Sequence, residues 1–163
     1  MEHSLESYLK KLDIKYKEHK HKAVFTVEEH DTTQDAMPSG ILHTKNLFLK
    51  DNKGNFYLVC MYAKKPLDMK SLRKKFGVKK LHFAAPEELK AHLNLTPGSV
   101  SIFGMIHAKE VKLLLDEQVW KADLVGFHPN MNTSTLELTH KDLKKFYDSL
   151  KSEKEIINLE DEA

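Results

Sequence analysis

The apolar positions of the chain recur at two spacings, and the first of these predicts amphipathic helices. A first helix is predicted after Ser4, where apolar residues recur three and four positions apart: Leu5, Tyr8, Leu9 and Leu12. Four more helices are predicted from capping residues, a first-turn proline or the same periodicity: from 26–29 onward, over 67–76, over 86–93 and over 139–150. The chain is therefore expected to contain five helices.

The second spacing, alternation or a short continuous apolar run, predicts strands. These segments are 14–17, 44–50, 55–62, 111–115 and 131–138. The turn sequence Asp51-Asn52-Lys53-Gly54 joins two of them into a hairpin. Because strands and helices interleave, we predict an α/β or α+β protein with a mixed sheet. A single domain over 1–150 is expected, followed by a charged and frayed tail over 151–163.

Charge narrows the possible partners. The 163 residues include 26 Lys plus Arg and 24 Asp plus Glu, which gives a formal net charge of +2. A balance this close to zero excludes a protein that holds nucleic acid by bulk charge. The charge is unevenly distributed, however, because a basic stretch over 64–80 is offset by the acidic tail. A local patch could therefore still meet an acidic partner.

Cysteine content and hydropathy indicate a compartment. Cys60 is the single cysteine, so no internal disulfide is possible, as is usual in a reducing cytoplasm. It lies in an apolar run, where burial is expected to keep the thiol inert. The longest apolar runs fall short of the roughly 20 residues that cross a bilayer, and the N-terminus lacks a signal-peptide pattern. A cytoplasmic protein without membrane contact is expected.

Few motifs of known chemistry occur. There is no phosphate-binding glycine loop, no zinc-protease motif, no paired-cysteine motif and no nucleophile elbow. The ten histidines lack the spacing of three or four convergent metal ligands, so we predict neither a metal nor another cofactor. Three segments remain unusual: a Lys-Asn pair opening an apolar strand in 43–50, a loop with glycines at both ends in 96–104, and a His-Pro turn in 126–132.

At these segments the chain resembles a known family. The matching sequences are Thr44-Lys45-Asn46-Leu47-Phe48-Leu49, Pro97-Gly98-Ser99-Val100-Ser101-Ile102-Phe103-Gly104 and Phe127-His128-Pro129-Asn130, extended by 132–135 and 143–146. In this order and spacing they resemble the YbaK/prolyl-tRNA synthetase-associated editing domains, and most of all the free-standing Ala-tRNA(Pro) deacylases called ProXp-ala or PrdX. The resemblance implies a compact α/β fold with a mixed sheet, and hydrolysis of wrongly aminoacylated tRNA.

The resemblance also implies roles for individual residues. Lys45 would bind the backbone or acyl region of the tRNA 3′ end, and Asn46 would orient the amino acid or the terminal ribose. His128 would be a pocket wall or a polar orienter. The loop residues expected to hold the carbonyl are Gly98, Ser99, Val100, Ser101, Phe103 and Gly104. A small apolar pocket that excludes proline is assigned to Val27, Ile41, Phe103 and Met131.

The basic stretch acquires a role once an RNA substrate is implied. The residues expected to contact tRNA phosphates are Lys70, Arg73, Lys74 and Lys75. The expected partners are the acceptor end of tRNA(Pro) and prolyl-tRNA synthetase, and a monomer is expected.

Three other functions stay open at this point. The substrate could be Cys-tRNA(Pro), or the protein could be a non-catalytic module that binds tRNA or a synthetase. A generic nucleic-acid-binding protein is disfavoured because few clustered aromatic residues accompany the lysines.

Overall fold

A computed structural model of the chain describes residues 2–20, 40–129 and 133–159. The helices are α1 (His3–Lys11), α2 (Met69–Phe76), α3 (Pro86–Leu93), a 3-10 helix (Ile102–His107), α4 (Glu117–Lys121) and α5 (His140–Ser149). The strands are β1 (Lys17–Lys20), β2 (Leu42–Asp51), β3 (Phe56–Tyr62), β4 (Leu81–Phe83), β5 (Val111–Asp116), β6 (Leu124–Phe127), β7 (Ser134–Thr139) and β8 (Lys154–Ile157).

The strands form one mixed sheet in the order β1-β7-β6-β2-β3-β5-β8, and β4 pairs additionally with β2. Parallel pairing joins β2 to β6, β3 to β5 and β5 to β8, while the remaining pairs are antiparallel. The predicted α/β class, with a mixed sheet flanked by helices, is confirmed. Strand β2 lies in the middle of this order and pairs with three other strands.

The two faces of the sheet bury different clusters. The larger core covers one face, where Phe48 and Leu58 of the central hairpin meet residues of α1, α3, α5 and the 3-10 helix. The smaller cluster covers the opposite face, where Leu49 and Val59 pack with Leu72 of α2. Successive residues of a strand point to opposite faces. Each residue of β2 is therefore assigned to a face by whether its number is even or odd.

The predicted hairpin is confirmed, and its turn is built around a buried carboxylate. Asp51 is 1% exposed and accepts hydrogen bonds from the backbone N–H groups of Lys53 and Asn55, the amide of Asn55 and the hydroxyl of Tyr57. Burial opposes the charged form, but these hydrogen bonds together outweigh it and hold the pKa of Asp51 at about 2. Gly54 completes the turn at a φ of 85°.

Other predictions are confirmed with small shifts. Helix α3 spans the predicted residues, and α5 begins after Thr139, whose hydroxyl accepts from the Asp142 N–H group. Helix α2 begins at Met69 rather than at 67, because the Asp68 side chain caps it by accepting from Ser71. Cys60 is fully buried, and this burial raises the pKa of its thiol, as expected for an inert cysteine.

One strand prediction was wrong in position. The strand expected over 14–17 lies at Lys17–Lys20, because Ile14 is buried in the larger core and its N–H group bonds the carbonyl of Leu9 near the end of α1. The strand expected over 131–138 is confirmed as β7, which spans Ser134–Thr139, and residues 131 and 132 lie outside the described residues. The helix predicted from 26–29 lies outside the described residues.

The prediction of a frayed tail was also wrong for the part of the tail that the structure describes. Residues 154–157, expected to be frayed, form β8 and pair in parallel with the buried strand β5. Backbone hydrogen bonds to β5 stabilise this segment despite its charged composition. In the described part of the chain, no helix is both long enough and apolar enough to cross a membrane.

Candidate active site at the open edge of β2

Strand β2 has one edge that is only partly paired. Its other edge pairs with β3 along the length of the strand. On the first edge, the ladder with β6 ends at His43, and the ladder with β4 begins at Leu49. The N–H group of Ala84 reaches the carbonyl of Phe48, so residues 44–47 have no strand partner on this side among the described residues. We call this stretch the open edge.

The open edge exists because β6 ends early. Its last residue is Phe127, and the sequence continues with His128 and Pro129. A proline has no N–H group and cannot donate a ladder hydrogen bond. The hydroxyl of Thr44 donates to the carbonyl of Gly126 at 2.8 Å, close to the end of the paired segment. Beyond that point β2 continues without β6.

Asn46 lies on the open edge and faces the larger core. Its amide nitrogen and oxygen are both buried, and neither has a hydrogen-bond partner among the described residues. The backbone N–H and carbonyl groups of the odd-numbered residues of β2 point toward β3, since Ala63 donates to the carbonyl of His43 and Asp51 donates to the carbonyl of Asn55. The backbone groups of even-numbered residues, including Asn46, therefore point toward the open edge. A buried amide without partners is unfavourable by about 1–3 kcal/mol. A ligand at the open edge could satisfy it.

Lys45 points to the opposite face of the sheet. Its ammonium nitrogen donates to the carbonyl oxygen of Lys65 at 2.5 Å, and burial lowers the pKa of the ammonium group. Lys65 is itself fixed, because its Nζ lies 2.8 Å from Oδ2 of Asp116, a carboxylate that is 1% exposed. The Lys65–Asp116 ion pair therefore fixes the position of Lys65, whose carbonyl oxygen accepts the hydrogen bond from Lys45.

His128 lies one residue beyond the end of β6. Parallel pairing of His43 with Gly126 places His128 at the level of Lys45 across the open edge. Its Nδ1 lies 3.2 Å from the carbonyl oxygen of Ser134, and because a carbonyl only accepts, Nδ1 is the donor in this contact. The structure thus brings Lys45, Asn46 and His128 to the same end of β6, with Lys45 and Asn46 on opposite faces.

The glycine loop meets this end through Ser101. The Ser101 hydroxyl donates to the carbonyl of His128 and accepts from the N–H group of Phe103. Gly98 has a φ of 86°, and Ser99 donates to Thr96 to close the turn. The loop is therefore hydrogen-bonded to the residues that follow β6.

The end of the loop packs in the core. Phe103 is fully buried between the rings of Phe127 and Phe146, and the N–H group of Gly104 is bonded to Ser101. A Cβ at Gly104 would lie 2.6 Å from Cδ1 of Leu95, so glycine is needed there for packing. Among the predicted carbonyl-binding residues, Gly98, Val100 and Ser101 have backbone N–H groups with no described partner.

Of the predicted pocket residues, Ile41 lies beside β6. A Cβ at Gly126 would lie 3.2 Å from Cγ2 of Ile41 and 3.0 Å from Cγ2 of Thr135, so this glycine lets Ile41 approach the strand. Val27 and Met131 lie outside the described residues.

Sequence reasoning did not select Gly126 as a site residue, and it counted Lys65 only as part of the basic stretch. It did not identify Asp116 at all, because nothing in the sequence pairs it with Lys65.

The predicted tRNA-binding residues lie on α2. Lys70, Lys74 and Lys75 are exposed, and Arg73 donates to the carbonyl of Lys79 at 3.3 Å. Leu72 anchors the helix in the smaller cluster. The helix therefore turns a basic face to solvent on the side of the sheet that Lys45 faces.

A cavity of about 630 Å³ lies elsewhere. Its wall includes Tyr57, Lys75, Lys112, Glu153 and Glu155, and none of the three predicted catalytic residues lines it. Because ammonium and carboxylate groups both line this wall, it offers no single sign of charge to a ligand. We therefore place the candidate site at the open edge rather than in the cavity.

Comparisons with known proteins indicate the family of the chain. The model of the aminoacyl-tRNA editing domain matches residues 21–146. The chain is 37% identical over 140 residues to the prolyl-tRNA editing protein ProX of Acetoanaerobium sticklandii, covering 84% of each chain. It is 34% identical over 151 residues to prolyl-tRNA synthetase associated domain-containing protein 1 of Danio rerio, covering 87% of this chain and 78% of that protein.

A solved structure of a candidate trans-editing enzyme for prolyl tRNA synthetase has the same fold. It superposes with a TM-score of 0.71 and covers 99% of both chains at 19% identity.

Proposed function

The chain belongs to the aminoacyl-tRNA editing domain family, and from this premise we propose that it is a free-standing deacylase that hydrolyses Ala-tRNA(Pro). Editing in the prolyl-tRNA system is supported by the relative named as a prolyl-tRNA editing protein, which matches over most of both chains. The observation that carries the proposal is the buried, unpartnered amide of Asn46 at the open edge of β2.

The amide of Asn46 suits an aminoacyl ester. An asparagine side chain offers one acceptor oxygen and two N–H donors. The oxygen can accept from the α-ammonium group of the amino acid, and the nitrogen can donate to the ester carbonyl as negative charge develops on its oxygen. Asn46 alone can therefore orient the amino acid and stabilise the transition state.

Hydrolysis then needs only a positioned water molecule. The water adds to the ester carbonyl carbon, and the bond from that carbon to the ribose oxygen breaks. The products are the free amino acid and a tRNA with its terminal hydroxyl restored. No covalent enzyme intermediate is required, which agrees with the inert, buried thiol of Cys60. We propose that the neighbouring ribose hydroxyl orients the water. His128 is the polar orienter or the wall of the pocket beside it.

Lys45 acts on a different part of the substrate because it faces the other side of the sheet. A partly desolvated ammonium group binds a phosphate or ribose oxygen more strongly than an exposed one does. We propose that Lys45 holds the backbone of the 3′ nucleotide while Asn46 holds the amino acid. The carbonyl of Lys65 keeps the ammonium group in place.

Selectivity for alanine is assigned to a small pocket beside β6. Ile41 lies against Gly126, where a side chain would collide with it. Since a methyl group contributes little binding energy, exclusion of proline by size must carry the discrimination. Cysteine is only slightly larger than alanine, so Cys-tRNA(Pro) is the main alternative substrate. A module that binds tRNA without cleaving it is the other alternative.

The test is a deacylation panel with tRNA(Pro) charged with Ala, Cys, Ser or Pro. We expect rapid loss of alanine and no loss of proline. Lys45→Ala should abolish the activity without changing the circular dichroism spectrum or the melting temperature appreciably. Lys50→Ala is the matched control on the same strand, because the Lys50 ammonium pairs with Glu88 instead. Wild-type clearance by Lys45→Ala, or no clearance of any charged tRNA, would overturn the proposal.

A further inference from the structure

One large hydrophobic side chain is exposed in the part of the chain that the structure describes. Phe83, the last residue of β4, has 57% of its surface exposed. Single exposed apolar residues are common and need no function. The position of Phe83 relative to the open edge is what gives it significance.

Phe83 lies at the far end of the open edge from β6. It pairs with Leu49, and paired residues of an antiparallel ladder share a face. Leu49 and Lys45 also share a face, because they lie four positions apart on one strand. The two positions are separated by about 13 Å at roughly 3.3 Å per residue, a length that a few linked nucleotides can span. The aromatic ring and the ammonium group therefore border the same side of the open edge.

The surroundings of Phe83 are basic. Lys79 and Lys80 are exposed and directly precede β4. Helix α2, with its exposed Lys70 and Lys74, contacts β4. Single-stranded nucleic acid is bound by this combination, because cations track the phosphates and an aromatic ring stacks on a base.

From this juxtaposition we propose that Phe83 is a stacking platform for an unpaired base at the 3′ end of the RNA. The inference rests on the proposed function, in which the ester lies against Asn46 and the backbone of the 3′ nucleotide lies against Lys45. A single-stranded end that leaves this site along the open edge toward α2 passes Phe83. The ring binds a base by its face, so the contact tolerates any base and adds affinity rather than sequence selectivity.

The experiment measures binding of an uncharged RNA hairpin with an unpaired 3′ end by fluorescence anisotropy. Phe83→Ala should weaken binding by about 5- to 150-fold, the range that corresponds to 1–3 kcal/mol for a base–aromatic stack. Phe83→Trp should retain wild-type affinity because it restores the stack. His82→Ala is the matched control, since His82 is also exposed but faces the other side of β4.

A second set of RNAs separates stacking from a structural effect. Each of the three terminal nucleotides is replaced in turn by an abasic one, and both proteins are measured on each RNA. At one position the penalty of Phe83→Ala should disappear, because the base that it stacks on is missing. A penalty that persists on every abasic RNA, or wild-type affinity in Phe83→Ala, would overturn the inference. Since no ester is cleaved, this result is independent of the deacylation panel.

Discussion

The two halves of β2 differ in a way that composition alone does not reveal. From Phe48 to Asp51 the strand is paired on both edges, and Leu49 is fully buried. From Thr44 to Leu47 it is paired on one edge, and Asn46 carries a buried amide with no described partner. Two polar side chains, one from each half, show this contrast. Asp51 accepts hydrogen bonds from three residues, whereas the amide of Asn46 has none.

This contrast separates stability from function within one strand. The paired half is locally consistent, since its apolar and polar groups are all satisfied. The open half keeps an unsatisfied group that stabilises nothing in the free protein. Polar groups that the fold leaves without hydrogen bonds are found mostly at functional sites, where a ligand supplies the missing hydrogen bonds.

The largest effect on stability is expected from Leu49→Ala. Truncating a fully buried leucine leaves a cavity and should lower the free energy of unfolding by about 2–5 kcal/mol. Leu47→Ala, at a half-buried position of the open half, should lower it by less. Urea unfolding of both variants measures the difference, and equal losses would contradict the division of the strand.

Asn46→Ala should reverse this pattern. We expect kcat for deacylation to fall by about 10²–10³-fold, as when a donor to a developing oxyanion is removed. The free energy of unfolding should stay unchanged or rise, because a buried amide without partners is removed. Single-turnover kinetics and urea unfolding on the same preparation test both statements. Destabilisation as large as that of Leu49→Ala would show that the amide belongs to the core.

Asp51→Asn should destabilise the protein in a pH-dependent way. The folded pKa of about 2 lies below the ordinary value of 3.8, so the unfolded chain binds protons first as the pH falls. The stabilisation by Asp51 is therefore complete above about pH 4 and is lost as the pH falls toward 2. Unfolding curves of wild type and Asp51→Asn should differ at pH 6 and converge near pH 2. A constant difference would mean that charge is not involved.

The smallest effect is expected at α2, which contacts the β4 side of the paired half. Charge reversal in Lys74→Glu/Lys75→Glu should raise KM for charged tRNA and flatten its dependence on salt, while kcat is preserved. Each lost phosphate contact should change the slope of log affinity against log salt by roughly 0.7. An unchanged slope of log affinity against log salt would show that these exposed lysines do not contact tRNA phosphates and serve only solubility.

The paired half of β2 is the half that sequence reasoning predicted well. Apolar runs on both sides of a turn containing Asp51 and Gly54 define the hairpin locally, and the apolar periodicity of α5 defines that helix in the same way. Strand β8 escaped prediction because Lys154, Glu155 and their neighbours are charged, and only its pairing with β5 stabilises it. Long-range partners of this kind leave no local signal.

The segments of the candidate site were selected from the sequence, but their arrangement was not. The resemblance selected Lys45, Asn46 and His128, yet it could not show that Lys45 and Asn46 point to opposite faces around an edge that β6 leaves free. That edge begins where the ladder between β6 and β2 ends, at the pair of Gly126 with His43, more than 80 positions earlier in the chain. The resemblance assigns Phe103 and Gly104 to ligand binding, and the structure shows that both also pack in the core.

The turn at Gly54 has a consequence for how such a protein can evolve or be engineered. It sets the register of β2 against β3, and a slip of one residue would move every side chain of β2 to the other face. Lys45 and Asn46 would then exchange sides, and each would lose the part of the substrate that the proposed function gives it. Surface loops usually accept insertions freely. At this turn a single inserted residue that shifted the register would silence the enzyme, even though no residue of the site had been changed.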